Sequence, residues 1–434
     1  MEQGRTADLT ASRAKSEWRQ FWPLPFVAAL GMSISVLHIY SLGPFMQPLA
    51  DEFGWSRTQI SSGITIANGM GAALSVVAGM TVDRFGPRKV GLFGVVIMCS
   101  AIMLLATATG GKVDWFAHFV LVGLGTLSVH TTIWAGAVSS RFRESRGLAV
   151  AITMCGSGIS ATVMPLVATW LIGMFGWRGG FLGLGGLWLA VSLPLMILFL
   201  RGAQDEGRGR KRATTVAALP AELPGLTVAE GLRTSPFWKL TFAGGVYSFV
   251  LIGLIVHFVP ILEDRGRTPL AAAATAGLIG LAAITGRLGT GLLLDRFRGD
   301  VVGAGAFFLP IIGCLLLLWT DSGLGEAAAA IVIGLSVGAE LDVITYLSTR
   351  YLGLKRFGAL FGIMITALSL GTALGPLAAG ATYDNFGSYG WFLIAGIPLM
   401  AACAVAMATL GRYPVFAGEA VEPNEGLSPS ASAP

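Results

Sequence analysis

The sequence predicts an all-α polytopic membrane protein with twelve transmembrane helices, arranged as two pseudo-symmetric six-helix bundles. Three observations support this fold class. The 434 residues are 54% hydrophobic and only 12% charged, with a mean hydropathy of +0.72, well above the values of soluble globular domains. The chain also contains a series of long apolar runs, and a short polar motif recurs about half a chain apart.

The apolar runs, which we call spans 1 to 12, set the number of helices. Crossing a bilayer core of about 30 Å takes roughly 20 helical residues. Runs of that length lie at residues 22–44, 59–80, 90–109, 115–139, 147–171, 180–200, 236–261, 269–293, 301–319, 324–348, 357–381 and 389–410. Each run is therefore predicted to be one membrane-crossing helix.

The distribution of Lys and Arg tests this number, because cytoplasmic loops carry an excess of both. Of the 29 such residues, the side opposite the chain ends receives only Arg57, Lys112, Arg178, Arg265 and Arg267. Arg287 lies within a span, and all the others fall on the side of the chain ends. This asymmetry predicts that both termini are cytoplasmic, and it would be lost if one span had been missed.

The repeated motif divides the chain into halves. Glycine, three residues and Asp-Arg-Phe occur at Gly79–Phe85 after span 2 and again at Gly291–Phe297 after span 8. Internal repeats of this kind are typical of secondary transporters. The predicted organisation is a cytoplasmic N-terminal tail (1–21), a six-helix bundle (22–201), a cytoplasmic central loop (202–235) with a short helix near 227–233, a second six-helix bundle (236–411) and a disordered tail (412–434).

Several other classes of protein are not supported by the sequence. Four cysteines, Cys99, Cys155, Cys314 and Cys403, lie inside apolar runs without a CxxC spacing, and no HExxH motif occurs, so neither a metal site nor a disulfide is expected. The net charge of +5 is accounted for by the cytoplasmic loops, which argues against a nucleic-acid partner. We expect no cofactor and no enzymatic activity, and residues 1–19 are too polar for a cleavable signal peptide.

The segment Gly79 to Lys89 resembles the signature loop of the major facilitator superfamily, and Gly291 to Phe297 is similar to its second-half copy. Twelve spans, a long central loop and cytoplasmic termini agree with that resemblance over almost the whole chain. The resemblance implies a central cavity that opens alternately to each side. It also implies an inner gate formed by Gly79, Asp83, Arg84, Arg88, Asp295 and Arg296. The alternative is a solvated turn with positive-inside charges, but duplication of the motif favours gating.

Within that superfamily, three passages resemble the monocarboxylate and oxalate:formate transporter branch. They are Phe53-Gly54-Trp55-Ser56-Arg57, Arg143 to Ala149, and Gly176 to Leu182. Arg287 on span 8 lies where that branch has an arginine that binds the substrate carboxylate. The chain departs from the animal members where Trp22 to Pro25 replaces their Asp-Gly-Gly-Trp stretch, and where Ala283 replaces an acid.

Three charged residues inside the spans are candidates for transport chemistry. Arg287 lies about 12 Å from the cytoplasmic end of span 8 at 1.5 Å per residue, and a guanidinium at that depth is paired or faces a water-filled cavity. Its planar fork suits a carboxylate; the alternative is a structural ion pair. Glu340 and Asp342 on span 10 lie at a similar depth, so a contact with Arg287 is possible. Two residues apart on a helix they point in different directions, and we expect one to face the cavity; one of them is predicted to carry a proton. A permanent salt bridge is an equally supported alternative.

Four further residues are weaker candidates. His130, Tyr247 and Tyr346 lie at mid-depth in spans 4, 7 and 10 and are predicted to line the substrate cavity, with ordinary packing as the alternative for each. His257, near the outer end of span 7, is a candidate for an outer gate with Tyr40.

These observations together predict a monomeric transporter of the bacterial cytoplasmic membrane. It would import a small organic anion, most simply a monocarboxylate, by proton symport. One alternative is export of an amphipathic metabolite or drug. A membrane sensor or an intramembrane enzyme is less supported, because both polar ends are too short for a signalling domain and no base is positioned to activate Ser160.

Overall fold

The computed structural model describes residues 2–202, 224–414 and 416, without the side chains of 2–11, 75, 76, 78 and 83. The described part is dominated by helices and contains no β-sheet, which confirms the all-α membrane fold. Spans 1 to 6 are Pro23–Ser35 with Leu37–Ser41, Arg57–Phe85, Pro87–Leu104, Lys112–Ser128 with Thr131–Ser139, and the two parts of Arg146–Phe199. Spans 7 to 12 are Ser235–Asp264, Pro269–Arg296, Gly299–Trp319, Gly323–Leu352, Phe357–Phe386 and Gly390–Ala408.

Nine helices in the described part of the chain are long and apolar enough to cross a membrane. One of them, Arg146–Phe199, contains both span 5 and span 6, which meet at Gly176 with φ 68° and ψ 175°. That backbone conformation is essentially restricted to glycine, so Gly176 makes the turn between the two spans. Span 1 falls outside the nine because it is interrupted. Span 2 is not counted among them because several of its side chains lie outside the described residues.

Buried apolar side chains form two separate clusters, one in each half. The first is built almost entirely from residues 24–200 and the second from residues 237–410. Val256 of span 7 is the exception, since it packs into the first cluster. Each half therefore has its own core, as expected if the halves move as bodies. The residue bounds predicted for the halves stay a prediction.

Spans 1 and 4 are both broken near the middle. The backbone leaves the helical conformation at Val36 (φ −113°, ψ 7°) and at Val129 (φ −119°, ψ 22°). The carbonyl of Val129 accepts a hydrogen bond from Trp134 Nε1 at 2.8 Å and another from the Ser35 hydroxyl. Backbone groups freed within a membrane need partners inside the protein, and these side chains supply them. The apolar runs predict two unbroken helices here, which is wrong.

Two polar segments, the N-terminal helix and the short helix of the central loop, pack on the helix bundles. The N-terminal helix Glu2–Phe21 is held by Glu17, whose carboxylate accepts the backbone N–H of Arg143 at 2.9 Å. The short central-loop helix is present at Val228–Leu232, and its capping residue Thr227 bonds reciprocally with Glu230. The rest of the predicted central loop, residues 203–223, and the predicted tail at residue 415 and from 417 onward lie outside the described residues.

The two halves meet at one membrane face and part toward the other. We call the face with the loops between spans 1 and 2 and between 7 and 8 the outer face, following the predicted topology. Seven hydrogen bonds join the halves from the outer part of span 2, between Arg57 and Thr65. Toward the inner face, glycines 79, 289, 291, 358 and 362 would have no atom within 4 Å of an added β-carbon.

Candidate functional site

Arg287 lies at a close junction of three helices. Gly338 of span 10 packs so tightly on span 8 that a β-carbon there would collide with the carbonyl of Ala283 and the backbone nitrogen of Arg287. On the opposite side, Gly158 of span 5 packs against Ile284, one turn outward of Arg287. Glycine on the neighbouring helices therefore brings the guanidinium to the boundary between the halves.

Both halves line the cavity at this junction. Its volume is about 40 Å³, enough for roughly one water molecule at about 30 Å³ each. The first half contributes Tyr40, Met154, Cys155, Ser157 and Gly158, and the second half contributes Ala283, Ile284, Arg287, Val337 and Gly338. The Arg287 side chain is therefore not sealed within one half, although only 12% of it is exposed.

The electrostatic partner of Arg287 is Asp342. Arg287 Nε lies 3.6 Å from Asp342 Oδ2, which is longer than the 2.7–2.9 Å of a charge-assisted hydrogen bond. Among the described residues, no hydrogen bond from Arg287 is found. A guanidinium carries five N–H donors in a planar fork, so most of its donor capacity is available to a ligand. The contact between spans 8 and 10 that the matching depths suggested is present.

Glu340 points to a different neighbour from Asp342. Its Oε1 accepts a hydrogen bond from Ser248 Oγ of span 7 at 2.8 Å. The Asp342 side chain is 34% exposed beside Arg287. Residues two apart on a helix face different ways, and here one acid faces span 8 and the other span 7.

The family model described as Major Facilitator Superfamily matches residues 26–352. The chain belongs to the Major Facilitator Superfamily. It is 25% identical over 412 residues to monocarboxylate transporter 13 of Bos taurus, covering 93% of this chain and 91% of that protein. It is 24% identical over 396 residues to the 4-hydroxybenzoate transporter PcaK of Acinetobacter baylyi, covering 81% and 86%.

The fold is also similar to that of a solved transporter. A bacterial homologue of the human lysosomal transporter Spinster, in an inward-facing and unoccupied conformation, superposes with a TM-score of 0.63. The match covers 89% of this chain and 93% of that chain at 16% identity. At this identity the likeness concerns the fold alone, and it agrees with the twelve-span architecture of the superfamily.

Two tyrosines predicted to line the cavity of this superfamily member lie elsewhere. Tyr247 is 1% exposed, its hydroxyl lies 2.7 Å from Ser336 Oγ, and its ring centroid lies 4.8 Å from that of Phe307. It is therefore a core residue of the second half. The Tyr346 ring packs beside Gly299, where span 9 begins at the inner face. Packing within the half determines which way each ring points, and neither tyrosine is among the residues that line the cavity beside Arg287; a substrate-binding role for them stays a prediction.

His130 is a helix-capping residue. It lies at the break in span 4, and its Nδ1 is 3.2 Å from Thr132 Oγ1 and 3.5 Å from the Thr132 backbone nitrogen. The imidazole ring thus accepts a hydrogen bond from a backbone N–H in the first turn of helix Thr131–Ser139. The N–H groups of a first helical turn have no partner within the helix. The structure gives His130 a local structural contact and does not place it among the cavity residues.

Tyr40 and Ser157 line the cavity beside Arg287, and neither was predicted to do so. Tyr40 follows the break in span 1, and Ser157 lies between Gly156 and Gly158 of span 5. The available signal was a polar side chain within each of these two apolar spans. Sequence alone does not show that the break after Ser35 turns Tyr40 toward span 8.

The predicted inner-gate residues make few contacts across the halves in this conformation. A β-carbon at Gly79 would meet no atom within 4 Å, and Asp295 and Arg296 are exposed. Arg88 Nη2 donates to the Ile197 carbonyl of span 6 at 2.7 Å, within the first half. Arg84 lies 5.4 Å above the ring of its neighbour Phe85, and the Asp83 side chain lies outside the described residues. Their gating role stays a prediction.

Proposed function

We propose that this transporter imports a small monocarboxylate with an apolar body, together with a proton, across the bacterial cytoplasmic membrane, with both termini cytoplasmic. The observation that carries the proposal is Arg287 at the inter-half cavity with a single 3.6 Å ion pair and unused donors. The apolar side chains of Met154, Ile284 and Val337 share that cavity and suit an apolar body. Relatives named for monocarboxylates and for 4-hydroxybenzoate support a carboxylate substrate.

Proton coupling follows from competition for the guanidinium. A substrate carboxylate that binds Arg287 must displace Asp342 or share the cation with it. Protonation of Asp342 removes its negative charge, so that the incoming anion becomes the counter-ion of Arg287. Each ligand then favours the other, as reciprocal linkage requires. Glu340, hydrogen-bonded to Ser248, is the second candidate for the same proton.

Thermal unfolding of the purified transporter tests the anion site. We expect benzoate and 4-hydroxybenzoate to stabilise the wild type, by about 2.7 kcal/mol at one hundred times the dissociation constant. The corresponding uncharged amides should not stabilise it. Arg287→Gln should abolish the carboxylate effect, whereas Arg178→Gln should retain it, because Arg178 pairs with Glu52 at the outer face. Equal stabilisation of wild type and Arg287→Gln would refute the assignment.

The direction and the coupling ion need a flux measurement. In proteoliposomes we expect carboxylate uptake to rise when the outside is made acidic relative to the lumen, and Asp342→Asn to remove that dependence while leaving anion binding in place. If Glu340→Gln removes the dependence and Asp342→Asn does not, the proton belongs to Glu340. Accumulation in the lumen only when the lumen is more acidic than the outside would instead indicate proton antiport, and therefore export from the cell.

A further inference from the structure

The turn Phe53–Arg57 fixes the start of span 2 at the outer face. Helix Met46–Phe53 ends at Gly54, whose φ of 64° suits glycine. Trp55 is 6% exposed and donates Nε1–H to the Gly110 carbonyl at 3.1 Å. Ser56 Oγ accepts the Gln59 backbone N–H at 3.2 Å and caps the helix. Arg57 is consequently the first residue of span 2, and its position is determined by the whole turn.

Arg57 reaches across to the second half. Its Nη1 and Nη2 donate to the two carboxylate oxygens of Asp264, both at 2.7 Å, and Nη1 also donates to Tyr389 Oη at 2.7 Å. The guanidinium lies 3.7 Å above the Tyr383 ring. The backbone N–H groups of Arg57 and Thr58 donate to Asp384 at 3.0 and 2.9 Å. Three groups of the second half thus converge on the guanidinium of Arg57, a residue that is only 7% exposed, and Asp384 holds the backbone of the same turn.

Polar residues continue this contact inward along one face of span 2. Ser61 Oγ lies 3.0 Å from His257 Nε2, and Thr65 Oγ1 donates to the Ala373 carbonyl at 2.6 Å. The spacing of four residues places Arg57, Ser61 and Thr65 on the same helix face. His257 Nδ1 in turn lies 2.7 Å from Tyr389 Oη, which joins the second contact to the first. His257 is therefore part of the outer contact, where its partners are Ser61, Tyr389 and the Pro376 carbonyl; its gating role with Tyr40 stays a prediction.

The geometry points to a single locking device for the outer face, which we call the outer latch: Arg57 with Asp264, Tyr389 and Asp384. A bidentate, charge-assisted pair at 2.7 Å with little exposure is stronger than an ordinary surface salt bridge. Separating it is tolerable only where water can hydrate both ions, which happens when the outer side opens fully. Partial opening would leave Arg57 desolvated and unpaired, so the latch favours two discrete states. The inference depends on transport between two faces and not on the identity of the substrate.

Chemical labelling from outside tests the latch. Val256 of span 7 is 1% exposed and packs into the core of the first half, so a cysteine there can react only when the halves separate at the outer face. In a background without the four native cysteines, we expect a membrane-impermeant maleimide to label Val256→Cys slowly. Adding Arg57→Gln or Asp264→Asn should increase the labelling rate on the order of tenfold, the scale of a coupling of 1–3 kcal/mol.

Controls separate this effect from a general loss of structure. Arg178→Gln removes another outer arginine, whose partner Glu52 lies in the same half, and should leave the labelling rate unchanged. Arg57→Lys retains the charge without the bidentate geometry and should give an intermediate rate. The double variant at 57 and 264 should be no faster than either single variant. Unchanged labelling in both latch variants, or an equal increase in Arg178→Gln, would overturn the inference whether or not the protein binds carboxylates.

Discussion

The contact between spans 5 and 8 offers a direct test of the arrangement of the halves. Gly280 of span 8 packs against span 5 so closely that an added β-carbon would collide with the Gly158 carbonyl and the Thr162 backbone nitrogen. Both atoms belong to the first half, and a backbone cannot turn aside as a flexible side chain can. Overpacking of this kind costs about 1–3 kcal/mol. Because Gly280→Ala strains only the state in which the outer faces touch, we expect the open-to-closed ratio to rise about 5- to 150-fold.

Distances between spin labels at the outer face measure this shift. Lys112 in the first half and Leu324 in the second are exposed there, so labels on cysteines at these positions should not disturb packing. We expect Gly280→Ala to add a longer distance to the distribution. The matched control is Gly289→Ala on the same helix, where a β-carbon would meet no atom within 4 Å. Identical distributions for the two variants would show that the tight crossing does not determine which face is closed.

Two further outcomes follow from other contacts. Tyr247→Phe removes the hydroxyl that is hydrogen-bonded to Ser336. It should lower the free energy of unfolding by about 1 kcal/mol without changing carboxylate affinity. A loss of carboxylate affinity at unchanged stability would instead indicate that Tyr247 contacts the substrate. Hydrogen bonds, first from Trp177 and then from Arg178, hold the pKa of Glu52 below its usual value. The ionised Glu52 therefore stabilises the fold fully above the unfolded pKa of about 4.3. This stabilisation is lost as the pH falls through the lower pKa of the folded state. Melting temperatures between about pH 5 and pH 3 should therefore fall more steeply in the wild type than in Glu52→Gln, and parallel profiles would contradict this.

The fold was predictable because it depends on quantities that the sequence displays. The thickness of the hydrocarbon core sets the length of each span regardless of how the helices pack, and the positions of Lys and Arg test the number. The breaks at Val36 and Val129 do not follow from composition, since neither is a proline or glycine. They are stabilised where the freed Val129 carbonyl accepts hydrogen bonds from Trp134, five residues along the chain, and from Ser35, 94 residues away.

The candidate site was predictable in depth but not in direction. A rise of 1.5 Å per residue placed Arg287 and the two acids of span 10 at a common level, and the ion pair with Asp342 is present there. The same reasoning placed Tyr247 and Tyr346 at a suitable depth, yet both rings turn into the second half. The direction of a side chain depends on which helix lies opposite, which a single sequence does not state.

Arg57 and Arg287 are the same residue type, but the geometry around each side chain indicates a different role. Arg57 is bidentate with Asp264 at 2.7 Å on the outer side of the crossing between spans 5 and 8. Arg287 has a 3.6 Å partner one turn to the inner side of Ile284 at that crossing. A rotation of the halves that separates Arg57 from Asp264 and opens this crossing would close the inner side and expose Arg287 to the outer one. The glycine-lined contact at Gly280 lies between the outer latch and the anion site, so it should open together with the latch.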